Sequence, residues 1–161
     1  MPAMQSHQFD SLLGNFDGDY ADGLASDPTY FVVLCLFDVG KSDPSQNQCN
    51  KLFERIAPLL AAGCTGTVIG FASNTTNANW SHQQNIKLAH DRLQNTASVI
   101  MGSDGDPKGF YLDYPGSGET GPDGVEDQME RCVAMCINLG DVPAPTPLTG
   151  PSSNPLLESR Y

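Results

Sequence analysis

The chain has 161 residues, 39% of them hydrophobic, enough to bury one core of ordinary size, and this sets the expectation of one domain with tails. Its 19 acidic residues against 8 basic ones give a net charge of -11, so it repels nucleic-acid backbones and anionic membrane surfaces alike. No stretch approaches ~20 consecutive apolar residues, which excludes a transmembrane helix in this sequence.

Residues 1–29 are acidic and Gly-rich, with Asp10, Asp17, Asp19, Asp22 and Asp27 but no sustained periodicity, and they read as an irregular arm. The opening MPAMQSHQFD carries neither the basic nor the apolar region of a signal peptide. The chain is then either cytoplasmic as made or exported by a signal outside this numbering. Asp17, Asp19, Asp22 and Gly23 are spaced somewhat like a calcium loop, yet Ala21 stands where an EF-hand needs an oxygen ligand and the closing Glu is missing. A solvated acidic loop fits better.

From Tyr30 to Phe37 the run YFVVLCLF is continuously apolar and rich in β-branched and aromatic residues, which predicts a strand buried on both faces. Asp43, Pro44 and Ser45 open a helix to about Ala62, with Leu52, Ile56, Leu59 and Leu60 along one face and Pro58 placed to kink or shorten it. Gly63 and Gly66 bracket the exit, residues 67–72 read as a second strand, and the polar loop SNTTNANWSHQQ follows. Asn85 caps a second helix to about Met101, on which Ile86, Ala89, Leu93, Ala97 and Ile100 recur at three- and four-residue steps.

GSDGDPKG is then a turn, residues 110–114 a short strand and PGSGETGPDG another loop. In the last strand, at about 131–139, Val133, Met135 and Ile137 share one face, predicted to meet the helices, while Cys132, Ala134 and Cys136 share the other. From Asp141 onward five prolines fall among polar residues, where no core can form. The order is β-α-β-α-β-β: an α/β (α+β) two-layer domain, with a mixed four-stranded sheet and two main helices on one face. The domain spans residues 30–139, between an acidic arm at 1–29 and a Pro-rich tail at 140–161.

Five cysteines at irregular spacing form no disulfide framework. Cys49 and Cys64 sit near opposite ends of a predicted helix, and Cys132 and Cys136 lie ~13 Å apart along a predicted strand, so neither pair can bridge. Free thiols follow. Histidines at 7, 82 and 90 supply no metal-ligand spacing to go with these cysteines, no nucleophile motif such as Gly-x-Ser-x-Gly occurs, and the sequence suggests no cofactor.

The junctions between these elements are similar to those of the OmpA C-terminal family, which includes peptidoglycan-associated lipoproteins and flagellar stator anchors. LFDVGKSD carries the Phe-Asp of that pattern at Phe37 and Asp38. IGFAS matches the Gly-aromatic end of the second strand, and NIKLAHDR supplies Asn85, Leu88, Ala89 and Arg92 at the family's steps. GSGET matches Gly-x-Gly-Glu-Ser/Thr with Gly116, Gly118, Glu119 and Thr120, and RCVAMCI opens the last strand on an arginine. These strings fall in order over about residues 30–139.

The resemblance implies a non-catalytic module of the bacterial cell envelope, periplasmic, that binds the diaminopimelate of the peptidoglycan stem peptide through Phe37, Asp38, Ala72, Ser73, Asn85, Leu88 and Arg92. Arg92 would hold a carboxylate through two parallel N–H bonds. Ser73 stands where the family has the Asp that pairs the ligand's ammonium, and a hydroxyl carries no charge. No acidic residue occurs between Ser73 and Asp91, which leaves Asp38 to supply negative charge.

Structural roles stand beside these. Arg92 could form an ion pair with Asp38 or Asp91, Asn85 could act as a cap alone, and Trp80 could be a lid on the core rather than a sugar or protein contact. The alternative function is a structural subunit of an envelope assembly, such as a secretion system, that uses the fold and its two tails to bind protein partners.

Overall fold

The computed structural model describes residues 15–101, 110–112, 118–120, 131–146 and 148. The YFVVLCLF run forms β3 (Tyr30–Leu36), inside the sheet and buried on both faces as its unbroken apolarity requires. Around it the strands β1 (Asn15–Asp17), β2 (Tyr20–Leu24), β4 (Thr65–Ser73), β5 (Phe110–Leu112), β6 (Gly118–Thr120) and β7 (Cys132–Asn138) complete a mixed sheet. Its order is β1-β2-β3-β7-β4-β5, antiparallel as far as β4. β5 runs parallel to the start of β4 and β6 parallel to its end. The four expected strands are therefore seven among the described residues. The added ones, of three, five and three residues, are too short to show a period of two in sequence.

The expected irregular arm is corrected most. Asn15–Leu24 is a hairpin, closed by the two-residue turn Gly18–Asp19, with Asp17 opposite Tyr20 and Gly18 at φ +62°. A positive φ at the first turn position suits glycine and matches the twist of the strands. Side chains of the following helix fasten the hairpin. Lys51 pairs with Asp17 at 3.0 Å, and Gln48 donates to the carbonyls of Asp19 at 2.9 Å and Leu36 at 2.7 Å. Arg55 grips the fully buried Asp22 through two bonds, and the Tyr20 hydroxyl donates to the same carboxylate at 2.8 Å. Acids that resembled a calcium loop are thus ion-pair and hydrogen-bond partners.

Ser45 opens α1 (Gln46–Lys51) with a capping box: its hydroxyl accepts from the Gln48 N–H, and the Gln48 side chain accepts from the Ser45 N–H. A π-helical turn, Leu52–Ile56, comes before α2 (Ala57–Ala61). The widened turn precedes Pro58, whose missing N–H and bulky ring forbid a regular bond to the carbonyl four residues back. α3 (His82–Met101) follows a second capping pair, in which the Gln84 N–H donates to the Ser81 hydroxyl and the Ser81 N–H to the Gln84 side chain. Asn85 therefore lies within the helix, and its expected role as cap passes to Ser81.

The helices cover one face. Val133, Met135 and Ile137 turn toward Leu52, Ile56, Leu59 and Leu93, as their alternation predicts, and full burial of such a side chain contributes about 1.5–3 kcal/mol. Val32, Leu34, Ile69, Phe71, Cys132 and Ala134 form a second buried cluster on the other face. α3 lies directly on β4 at Gly70, where a Cβ would stand 2.1 Å from the Ala89 carbonyl oxygen and 2.9 Å from the Leu93 Cβ.

All five cysteines are free. Val142 and Leu148, in the stretch expected to lack a core, pack against the helix-side cluster. The opening residues 1–14, the turn at 102–109, most of the 113–130 stretch and residues 149–161 lie outside the described residues.

Candidate functional site

Arg92 sits seven residues, two helical turns, beyond Asn85, so both project from one face of α3, toward the end of β4. The Arg92 side chain is fully buried. Its Nε donates to the Lys41 carbonyl at 2.7 Å, Nη1 to that of Phe71 at 3.0 Å and Nη2 to that of Asp38 at 3.1 Å, and the guanidinium lies 5.3 Å from the centre of the Phe37 ring. These bonds tie α3 to β4 and to the 38–41 turn. Of the two ion pairs open to it, Asp91 pairs instead with Lys87 at 2.7 Å, and Asp38 is exposed and offers Arg92 its carbonyl.

A cleft of about 340 Å³ opens above the guanidinium. Five of the seven expected residues line it: Ala72, Ser73, Asn85, Leu88 and Arg92. Phe37 and Asp38 do not. They border an adjoining hollow of about 300 Å³, with Phe37 serving the site as the surface beside Arg92. Arg131 was read only as the opening of a strand, yet it joins Arg92 in the cleft wall and anchors there by donating from Nε to the Phe37 carbonyl at 3.1 Å.

Asn85 is buried and holds three partners. Its amide nitrogen donates to the Thr75 carbonyl at 2.7 Å and to Glu119 Oε2 at 2.9 Å, and its oxygen accepts from the Trp80 indole N–H. Trp80 lines the cleft, neither a lid on the core nor free in the loop, while its backbone pairs with Asn77. With its one polar atom engaged by Asn85, the indole offers the cleft carbon surface alone.

Sequence reasoning missed Glu119 as a site residue. Its only signal was the GSGET string, read as loop, whereas β6 lays it beside Ala72 in register with β4. The His82 Nδ1 lies 2.6 Å from its Oε2. Asp38 is therefore not the only acid near the site, and that expectation is corrected. Chemically, the cleft combines two guanidinium groups, an aromatic wall and neutral polar side chains at Ser73, Thr75 and Thr76, a set suited to holding a carboxylate with an apolar stem. Among the described residues no three His, Cys, Asp or Glu side chains gather as metal ligands, and no helix is long and apolar enough to cross a membrane.

No family model and no curated protein matches the sequence. Solved structures do match the fold. The periplasmic domain of Helicobacter pylori MotB superposes with a TM-score of 0.55 at 16% identity, over 78% of this chain and 87% of that one. A putative MotB-like protein from Desulfovibrio vulgaris gives 0.51 at 14%, over 81% of this chain and 83% of its own. At these identities the likeness concerns the fold, and it is the one the junction strings imply: the chain has an OmpA-like fold.

Proposed function

We propose that this chain is a non-catalytic anchoring module of a bacterial cell envelope, binding the peptidoglycan stem peptide in the cleft above Arg92. One observation carries the reading: five residues chosen from the sequence as ligand contacts, drawn from β4 and α3, line a single cleft that has a buried guanidinium at its base. Arg92 and Arg131 receive a stem-peptide carboxylate, Leu88 and Trp80 take its aliphatic part, and Ser73 and Asn85 border the far end. A periplasmic location and attachment to a larger assembly belong to the same proposal, as the fold neighbours include a domain described as periplasmic.

Arg92 is itself part of the framework, since three carbonyls depend on it, so a discriminating variant must leave it in place. Leu88 is half-buried and lines the cleft. Leu88→Asp adds a carboxylate that competes with the ligand for Arg92, and it should lower retention on purified sacculi at least about tenfold, a change of roughly 1.4 kcal/mol, with little change in unfolding. Retention equal to wild type would reject the cleft as the binding site.

The second reading, a structural subunit that works through protein contacts, is favoured by the extent of Arg92's engagement with the backbone. In that case sacculi retain neither protein, and partner binding follows the tails.

A further inference from the structure

The sheet face turned away from the helices is closed, and its own residues do not close it. Phe16, Ala21, Leu34, Ala134 and Ile69 stand in one row across β1, β2, β3, β7 and β4, each opposite the next in register. Every buried member of the cluster around this row comes from a strand and, among the described residues, none from a helix. Neighbours in a sheet screen one another sideways but not from above, yet Val32 and Leu34 keep 0% of their surface exposed. Another layer therefore lies on this face.

The stretches outside the described residues differ in what they could bring there. Leu148 packs with the helix-side cluster, so residues 149–161 set out from the opposite face. Residues 102–109 and 113–117 hold one large apolar side chain, Tyr114, and in 121–130 four of ten side chains are acidic. Residues 1–14 hold Met1, Met4, Phe9, Leu12 and Leu13 against one acid, Asp10, and no Lys or Arg, and they join β1 at the edge where the row begins. Crossing five strands takes about 19 Å, and fourteen residues reach about 21 Å as a helix or about 46 Å extended, so the length suffices in either form. Cys136 is paired with Val32, which places it on the covered face, three strands beyond β1. Burial pushes its thiol up, and the positive amino group of residue 1 draws it back down.

We infer that residues 1–14 fold back across the second face of the sheet of their own chain and supply its covering layer, with Phe9, Leu12 and Leu13 set on the row from Phe16 to Ile69. The segment that reads as a free arm is then part of the core. While it is docked in this way, neither it nor the face beneath it is open to a partner.

The test uses the full chain and its own thiols. Cys132 and Cys136 lie on the covered face and Cys35 and Cys64 on the helix face, so alkylation by iodoacetamide, read cysteine by cysteine in a mass spectrometer, separates release of one layer from general unfolding. Phe9→Asp together with Leu13→Asp puts two charges on one side of the segment, since a step of four keeps to one face in a helix and in a strand alike. This double variant should alkylate Cys136 at least about tenfold faster than wild type, with Cys35 and Cys64 unchanged. Equal Cys136 rates in the two proteins would overturn the inference. If all four thiols react faster together, a photoreactive leucine analogue in place of Leu12, in the otherwise wild-type chain, decides the matter. Crosslinks to β3 or β7 within one chain support the inference, whereas crosslinks to the helices, to a second copy or to nothing overturn it.

Discussion

Arg55 beside the N-terminal hairpin and Arg92 beneath the cleft are both withdrawn from solvent, and they are held in different ways. Arg55 meets a carboxylate. Burial works against its charge, but the hydrogen bonds and charge of Asp22 outweigh it and hold the guanidinium above its usual range. Arg92 donates to three backbone carbonyls, dipoles that orient the guanidinium. The hairpin arginine joins two pieces of one molecule. The cleft arginine ties a helix to a strand and a turn through their carbonyls, so a buried arginine must be read from the kind of partner that holds it before it is assigned a role.

Removing Asp22 tests that distinction most severely. Asp22→Ala leaves Arg55 buried without its carboxylate and the Tyr20 hydroxyl without its acceptor, and should lower stability by about 3–5 kcal/mol in urea unfolding. Sacculus binding per folded molecule should stay at the wild-type level. A loss below about 1 kcal/mol would mean that the hairpin is held by something other than this pair.

Gly70→Ala disturbs the other region. The added Cβ meets the Ala89 backbone, so α3 must lift from β4, at about 3 kcal/mol, the upper end for overpacking. Because α3 carries Asn85, Leu88 and Arg92, this variant should lose sacculus binding as well as stability, whereas Asp22→Ala loses stability alone. If Gly70→Ala bound normally, α3 and the cleft would not be coupled as the packing implies.

The remaining test is of pH, and it acts on the hairpin side. Burial first and then the Asp22 charge push the Tyr20 hydroxyl's pKa well up, and burial with the Asp19 and Cys49 charges does the same for the Cys35 thiol. Both groups prefer the neutral form when folded. Their contribution is complete below their unfolded values, about 8.5 for a thiol and about 10 for a phenol, and is lost as pH rises beyond them. The urea midpoint should hold from pH 6 to 8 and fall by pH 10.5, with Tyr20 and Cys35 ionising only as the protein unfolds. An ultraviolet titration in which every tyrosine ionises in the folded state would contradict this.

The long elements were legible because burial imposes a period. YFVVLCLF, short, unbroken and rich in β-branched and aromatic residues, suited a strand covered twice, and the alternation at 132–137 showed which side chains meet the helices. Arg92 and Leu88 were picked out by the resemblance, since NIKLAHDR supplies them with Asn85 at the family's steps. The hairpin was not, since three- and five-residue strands carry no readable period and their order comes from Lys51, Gln48 and Arg55, far along the chain. Asn85 was misread as a cap although Ser81 and Gln84 already stood at capping-box spacing, a local signal that outranks a lone asparagine. Glu119 was hidden for another reason: its place beside Ala72 depends on a parallel strand pairing with no local trace.

The π-helical turn at Leu52–Ile56 has a consequence for how such a chain can change over generations. A turn of this kind holds one residue more than its α-helical equivalent, so losing a single residue there would regularise the helix while rotating everything on one side of it by about 100°. Arg55 would swing away from Asp22, or Leu59 and the exit to β4 would turn out of the core. One-residue deletions should therefore be rare among descendants of this gene at that point, although the helix itself would be more regular without the extra residue, and any lineage that kept one would be expected to have replaced Asp22 as well.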